Sequence, residues 1–206
     1  TSGTIEIRRN GGASRTFPLI GTIPGPAGAQ ALVPGIVAAD FDRDGLLDLV
    51  ASTGTSTNPA ANPQVTLFFR GRGDGSFDAG VEIASLLAGG GITDLAAADL
   101  DRDGKLDLVG NAAQTHAYVQ LGNGDGSFGP PVGHASPGTW VNAGSNSIAI
   151  ADLDRDGNPE IVLAGAGGGA GDPAARGVHV LPGIGDGSFG AARKLAVGGS
   201  RATDPQ

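Results

Sequence analysis

The sequence predicts an all-β fold, a β-propeller-like arc of about three and a half four-stranded antiparallel blades. Three observations predict it. Short apolar runs of small and β-branched residues recur along the 206-residue chain as IVAAD, LDLVAS, VTLFF, LAAAD, LDLVG, IAIAD and EIVLAG. An acidic loop, DFDRDGLLD from Asp40, returns as DLDRDGKLD from Asp99 and DLDRDGNPE from Asp152, at spacings of 59 and 53 residues. A second motif, G-x-GDGSF, alternates with it and carries Asp74, Asp125 and Asp186.

Each unit reads in the same order. An apolar strand (Ile36 to Ala39) leads into the acidic loop, and a second strand begins at Leu49. After a linker comes a third strand (Val65 to Phe69), then the GDGSF turn, then a fourth strand near Val81 to Ala84. Asp-Gly supplies the positive φ that a tight hairpin needs, and Phe77, Phe128 and Phe189 return the chain to the core. The N-terminal segment TIEIRRNGGASRTFPLI has the look of a third strand, turn and fourth strand, with Phe17 in the place of the motif Phe and no first half. The expected organisation is a partial blade over 1–31, a blade with acidic loop 1 over 32–88, one with loop 2 over 89–140, and one with loop 3 over 141–206. Helical periodicity is absent, and the Gly, Pro and Asn content of 54–63 and 165–173 suits exposed loops.

Composition narrows the function classes. With no Cys, disulfides, thiolate metal sites and a Cys nucleophile are excluded. No run of 18 apolar residues is present, so no membrane span is expected. The net charge of −8, with 13 scattered Lys and Arg, argues against nucleic acid. The three loops hold 12 of the 21 acidic residues, and three divalent cations would bring the net charge to −2. A chain that starts at Thr1 and has no Met is expected to be a processed or partial product, and processing agrees with secretion to the extracellular space.

The loop chemistry points to calcium. Calcium takes six to eight hard oxygen ligands, and Asp residues at loop positions 1, 3 and 5 of a curled loop aim three carboxylates inward. In loop 1 these are Asp40, Asp42 and Asp44, with the Leu46 carbonyl at position 7 and Asp48 at position 9. The counterparts are Asp99, Asp101, Asp103, Lys105 and Asp107, then Asp152, Asp154, Asp156, Asn158 and Glu160. Three Ca2+ ions per chain are expected. An EF-hand would need Glu at position 12, where Ala51, Gly110 and Leu163 stand, and four carboxylates make a denser cage than magnesium accepts.

Over about residues 32–197 the unit resembles the FG-GAP repeat, also called the VCBS repeat, of integrin α-subunit propellers. The resemblance implies that the acidic loop joins the first two strands of a blade and holds calcium. Glu160 and Pro159 make the third loop a variant, and family propellers usually have seven blades, so closure into a ring by one chain is not implied.

Three other features have plainer explanations. Arg72-Gly73-Asp74 spells an integrin-recognised tripeptide, but the Gly and Asp recur in the other turns after Asn123 and Ile184. His116, His134 and His179 lack a Ser, Asp or second His at a motif spacing, and are expected as strand or loop histidines. Trp140 and Tyr118 are few for repeated sugar pockets, so burial is the expected fate of both. The expected function is a secreted calcium-binding structural or interaction module. Its partners are copies of itself, in a ring or filament, or another protein. A carbohydrate-binding lectin with a glycan ligand is the alternative, and a polysaccharide-active enzyme ranks last, so the protein is read as no enzyme.

Overall fold

The structure is a computed structural model, and it describes residues 4–8, 19–24, 32–53, 65–83, 92–112, 116–135, 146–165 and 177–195. Phe17, Trp140 and the linkers 54–63 and 166–173 lie outside them. Every described element is a strand. Strands β1 (Thr4–Arg8) and β2 (Leu19–Pro24) form an antiparallel pair. Three four-stranded antiparallel sheets follow, each in sequence order. Blade 1 is β3 (Leu32–Ala39), β4 (Asp48–Thr53), β5 (Thr66–Phe69) and β6 (Val81–Ile83). Blade 2 is β7 (Ile92–Ala98), β8 (Asp107–Ala112), β9 (His116–Gln120) and β10 (Val132–Ala135). Blade 3 is β11 (Asn146–Ala151), β12 (Glu160–Gly165), β13 (Gly177–Leu181) and β14 (Arg193–Leu195).

The first strand of blade 1 begins four residues before the apolar run IVAA. The ladder is irregular between Leu32 and Ile36 but resumes beyond it, pairing Leu32 with Thr53. The leading strands β3, β7 and β11 lie beside one another, and the sheets stack face to face without closing. The Ile148 amide of β11 donates to the Asp94 carboxylate of β7 at 2.9 Å, a tie between neighbouring leading strands.

Small alternating apolar residues leave each sheet too thin to hold a core of its own, so the core lies between sheets. Blades 1 and 2 bury Phe41, Val50, Phe68, Leu95 and Leu108 against one another. Phe41 meets Phe68 and Phe128 edge to face, with ring centroids 6.5 and 5.5 Å away. Blades 2 and 3 repeat the arrangement with Leu100, Val109, Val119, Ile161 and Leu163, against which Phe189 packs. The β1–β2 pair packs Ile5, Ile7 and Ile23 against Leu67, Phe69 and Phe77 on the other face of blade 1.

The GDGSF turns are built alike. In the first, the Asp74 carboxylate accepts the Ser76 amide at 2.8 Å and its hydroxyl at 2.6 Å, while Gly71 bridges Phe77. The opening glycine of each motif is fixed by close approach: a Cβ on Gly71, Gly122 or Gly183 would lie 2.0, 2.1 or 2.3 Å from the carbonyl oxygen of Leu47, Leu106 or Pro159. Gly122→Ala is therefore expected to cost about 3 kcal/mol. Gly129→Ala, whose Cβ would meet only the Leu121 oxygen at 3.5 Å, should cost far less. Urea unfolding of the two variants decides this, and equal midpoints would show that the turn does not press on the loop.

Candidate metal centre

The three acidic loops occupy equivalent places, each joining the first and second strands of its blade. Their curl comes from two left-handed residues. Arg43, Arg102 and Arg155 at loop position 4 have φ of 63°, 62° and 66°, and the glycines two places on have 87°, 81° and 89°. A glycine was legible there, but an arginine in that conformation was not.

The curl lets carboxylates hold the loop from inside. In loop 1 the Asp40 oxygens accept the amides of Asp44 and Gly45 at 3.1 and 3.0 Å, and Asp44 accepts the Leu46 amide at 2.8 Å. Loop 2 repeats these bonds from Asp103, Gly104 and Lys105 at 3.1, 3.0 and 2.9 Å. Loop 3 departs at one place, where Asp152 takes the Arg155 amide at 2.7 Å.

The acid at position 9 has a second duty. Asp48 and Asp107 have no exposed surface and Glu160 has 3%. Asp48 accepts the Phe41 amide at 3.0 Å and the Gly71 amide at 2.8 Å, so it joins the start of the loop to the start of the GDGSF turn. Asp107 does the same with Leu100 and Gly122 at 2.7 and 2.8 Å, and Glu160 accepts the Leu153 amide at 2.6 Å. Burial pushes Asp48 above the ordinary carboxylate range, against the pull of those amides. The same cause raises Asp107 to about 6.

Ligand atoms of Asp40, Asp42 and Asp48 all lie within 4.8 Å of one another, as do those of Asp99, Asp101 and Asp107, and of Asp152, Asp154 and Glu160. Positions 1, 3 and 9 of each loop thus converge. The position-5 acids Asp44, Asp103 and Asp156 fall outside these clusters and bind the position-7 amides instead. Among the described residues no histidine joins a cluster. Three like charges at this separation repel, and a donor set made only of hard oxygens suits a divalent cation that prefers oxygen.

A model of the FG-GAP-like repeat matches the chain twice, over residues 57–110 and 108–163, which together span more than half of it. The chain is an FG-GAP repeat protein. Each match contains a GDGSF turn and the acidic loop that follows it, so the family unit is out of phase with the sheets, taking the outer strands of one blade and the inner strands of the next. No curated protein matches the chain.

The remaining candidates find structural places. Arg72 donates to Asp78 at 2.7 Å and Asp74 is held by Ser76, so both charged groups of the Arg-Gly-Asp tripeptide are engaged within their own FG-GAP turn. Tyr118 packs at the junction of blades 1 and 2 beside His116. His134 stands edge to face with Phe189 at 5.0 Å, and burial, with the charge of His116, lowers its pKa.

The raised Asp107 gives a pH test of the metal-free protein. Its pKa is higher folded than unfolded, so between about pH 4 and 6 the fold holds a proton that the unfolded chain has lost, and stability falls as pH rises through 6. His134 acts the opposite way in that window, so the comparison is with Asp107→Asn. In chelator, the melting temperature of D107N relative to the parent should rise from pH 5 to pH 7. A difference independent of pH would show that the carboxyl is not strained by burial.

Proposed function

We propose that this FG-GAP repeat protein is a calcium-stabilised structural and interaction module that works outside the cell and performs no catalysis. Each loop would hold one ion through Asp40, Asp42, Asp44, the Leu46 carbonyl and Asp48, or their counterparts in loops 2 and 3. The observation that carries this is the convergence of three carboxylates in all three loops, each anchored by a buried acid at position 9. A cation bound only by the folded loop adds its binding energy to folding, and thin blades have much to gain from it. Loops with exposed rims suit the millimolar calcium of extracellular fluid. No helix is long and apolar enough to cross a membrane among the described residues.

The interaction surface we favour is the face of blade 3 turned away from blade 2. Loop position 2 is buried where a following blade covers it, Phe41 and Leu100 being 2% exposed, whereas Leu153 is 55% exposed. At the other end of the arc, a cavity of about 340 Å³ beside Phe77, lined by Ile7, Ile23 and Phe69, corresponds to the space that Phe41 fills beside Phe128. The chain thus carries both halves of its own internal junction, and a second copy is the partner that both halves match. The engaged state of Tyr118 gives no support to a lectin.

Calorimetric titration should find three calcium ions per chain, and excess chelator should lower the melting temperature. Asp101→Ala should remove one ion and more stability than Asp74→Ala, which removes only a turn acceptor. Equal losses, or a midpoint indifferent to chelator, would overturn the calcium reading.

Self-association is tested by sedimentation at high concentration in millimolar calcium. The parent should form dimers or longer species, and Leu153→Asp should be monomeric with an unchanged melting temperature. A monomeric parent would overturn it.

A further inference from the structure

The three loops share their acids but not their cations. In loop 1 the Arg70 guanidinium, at the end of β5, pairs with Asp42 through Nε and reaches Asp44 at 3.6 Å through a terminal nitrogen. The Asp42 side chain is 3% exposed, so this contact is made inside the loop. The other Asp42 oxygen accepts the Asp44 amide at 3.2 Å. The two oxygens of this position-3 acid are therefore engaged differently, Oδ1 accepting an amide and Oδ2 meeting the guanidinium as an ion pair without a hydrogen bond.

The residue before the first motif glycine is Arg70 in blade 1, but Leu121 in blade 2 and Pro182 in blade 3. Neither of the latter can supply a charge. Loop 2 has one ion pair, Lys105 with Asp103, which is not among the converging acids, and Lys105 is local to the loop. In loop 3 position 7 is Asn158, whose side-chain amide donates to Asp156 at 2.9 Å without bringing charge. Among the described residues no ion pair is made by Asp101 or Asp154.

We propose that Arg70 is a built-in counter-ion of loop 1, holding Asp42 and Asp44 when no metal is present and lowering that loop's affinity for a divalent cation below that of the other two. This rests on the calcium reading above. A cation entering loop 1 must take an Asp42 oxygen from Arg70 or from the Asp44 amide, and it meets a positive charge at contact distance. Loops 2 and 3 impose no such exchange at position 3. Blade 1 is then the part of the arc that keeps its loop ordered at low calcium, and blades 2 and 3 are the parts that respond to it.

The test is calcium calorimetry with Arg70→Leu, which gives blade 1 the residue found at the same place in blade 2, and with the reciprocal Leu121→Arg. Leu121 is 37% exposed, so the longer side chain has room to reach loop 2. R70L should tighten one site by about three- to tenfold and leave two unchanged, and L121R should weaken one site by a similar factor. The melting temperatures should cross: R70L below the parent in chelator and above it in saturating calcium. Unchanged affinities, or weaker binding in R70L, would overturn the role of Arg70 while leaving the calcium reading intact. Absence of calcium binding in the parent and both variants would overturn the calcium reading itself, and this inference with it.

Discussion

A buried carboxylate at the end of each acidic loop is the joint on which the blade depends. Asp48 and Asp107 each accept one amide from the residue after the loop's first Asp and one from the glycine that opens the GDGSF turn. Those two amides belong to segments 30 residues apart in loop 1 and 22 apart in loop 2. Hydrogen bonds to a charged acceptor are stronger than neutral ones, and a buried amide without a partner is costly, so the joint favours one register of loop against turn. Its own cost is desolvation, seen in the raised pKa of both acids. An adjacent divalent cation would offset that cost by favouring the ionised form. The element that sets the geometry of the blade is thus the one that a bound cation would most relieve.

The same joint explains why the two motifs alternate without fail. The opening glycine must sit against the carbonyl of loop position 8, where any side chain would collide, and must present its amide to the position-9 acid. Once it is placed, the turn delivers Phe77, Phe128 or Phe189 to the face that meets the preceding element. Loop position 2 delivers Phe41 or Leu100 to the opposite face. Burial of such a side chain contributes roughly 2–3 kcal/mol, and each junction pairs one from the loop with one from the turn. Acidic loop and blade packing are therefore parts of one device, since a loop that loses its curl withdraws its position-2 side chain from the next junction.

Much of this was legible in the sequence. Period, strand order and the two motifs follow from spacing alone, and the converging acids at positions 1, 3 and 9 stand where alternation puts them. What was not legible depends on contacts between units far apart in the chain. Nothing local marks Arg70 as the partner of Asp42, because the residue before the motif glycine is free to vary and its meaning comes from the loop it faces. The arginine at position 4 is not one of the ligand positions of the loop pattern. Yet the Arg102 guanidinium lies within 2.9 Å of where a Cβ on Gly185 would stand, in the turn of the next blade. The early start of β3 was missed because Leu32 pairs beyond an irregularity that no apolar periodicity records.

Identical loops need not be identical sites. Three sites of equal affinity would fill and empty together, and the whole arc would order or loosen within one narrow range of calcium. Differences in local charge separate them. Loop 1 carries an arginine on two of its acids, loop 2 a lysine on one, and loop 3 an uncharged amide on one, with the Arg102 guanidinium 3.6 Å from where a Cβ on its Gly157 would stand. Blade 3 also bears the exposed Leu153 face. Among the described residues only loop 1 pairs a cation with one of its converging acids, so if the loops hold calcium, blades 2 and 3, with the exposed Leu153 face, would respond to it more than blade 1 does. On that reading blade 1 would hold its shape at low calcium, and the face of blade 3 would be conditional on the ion.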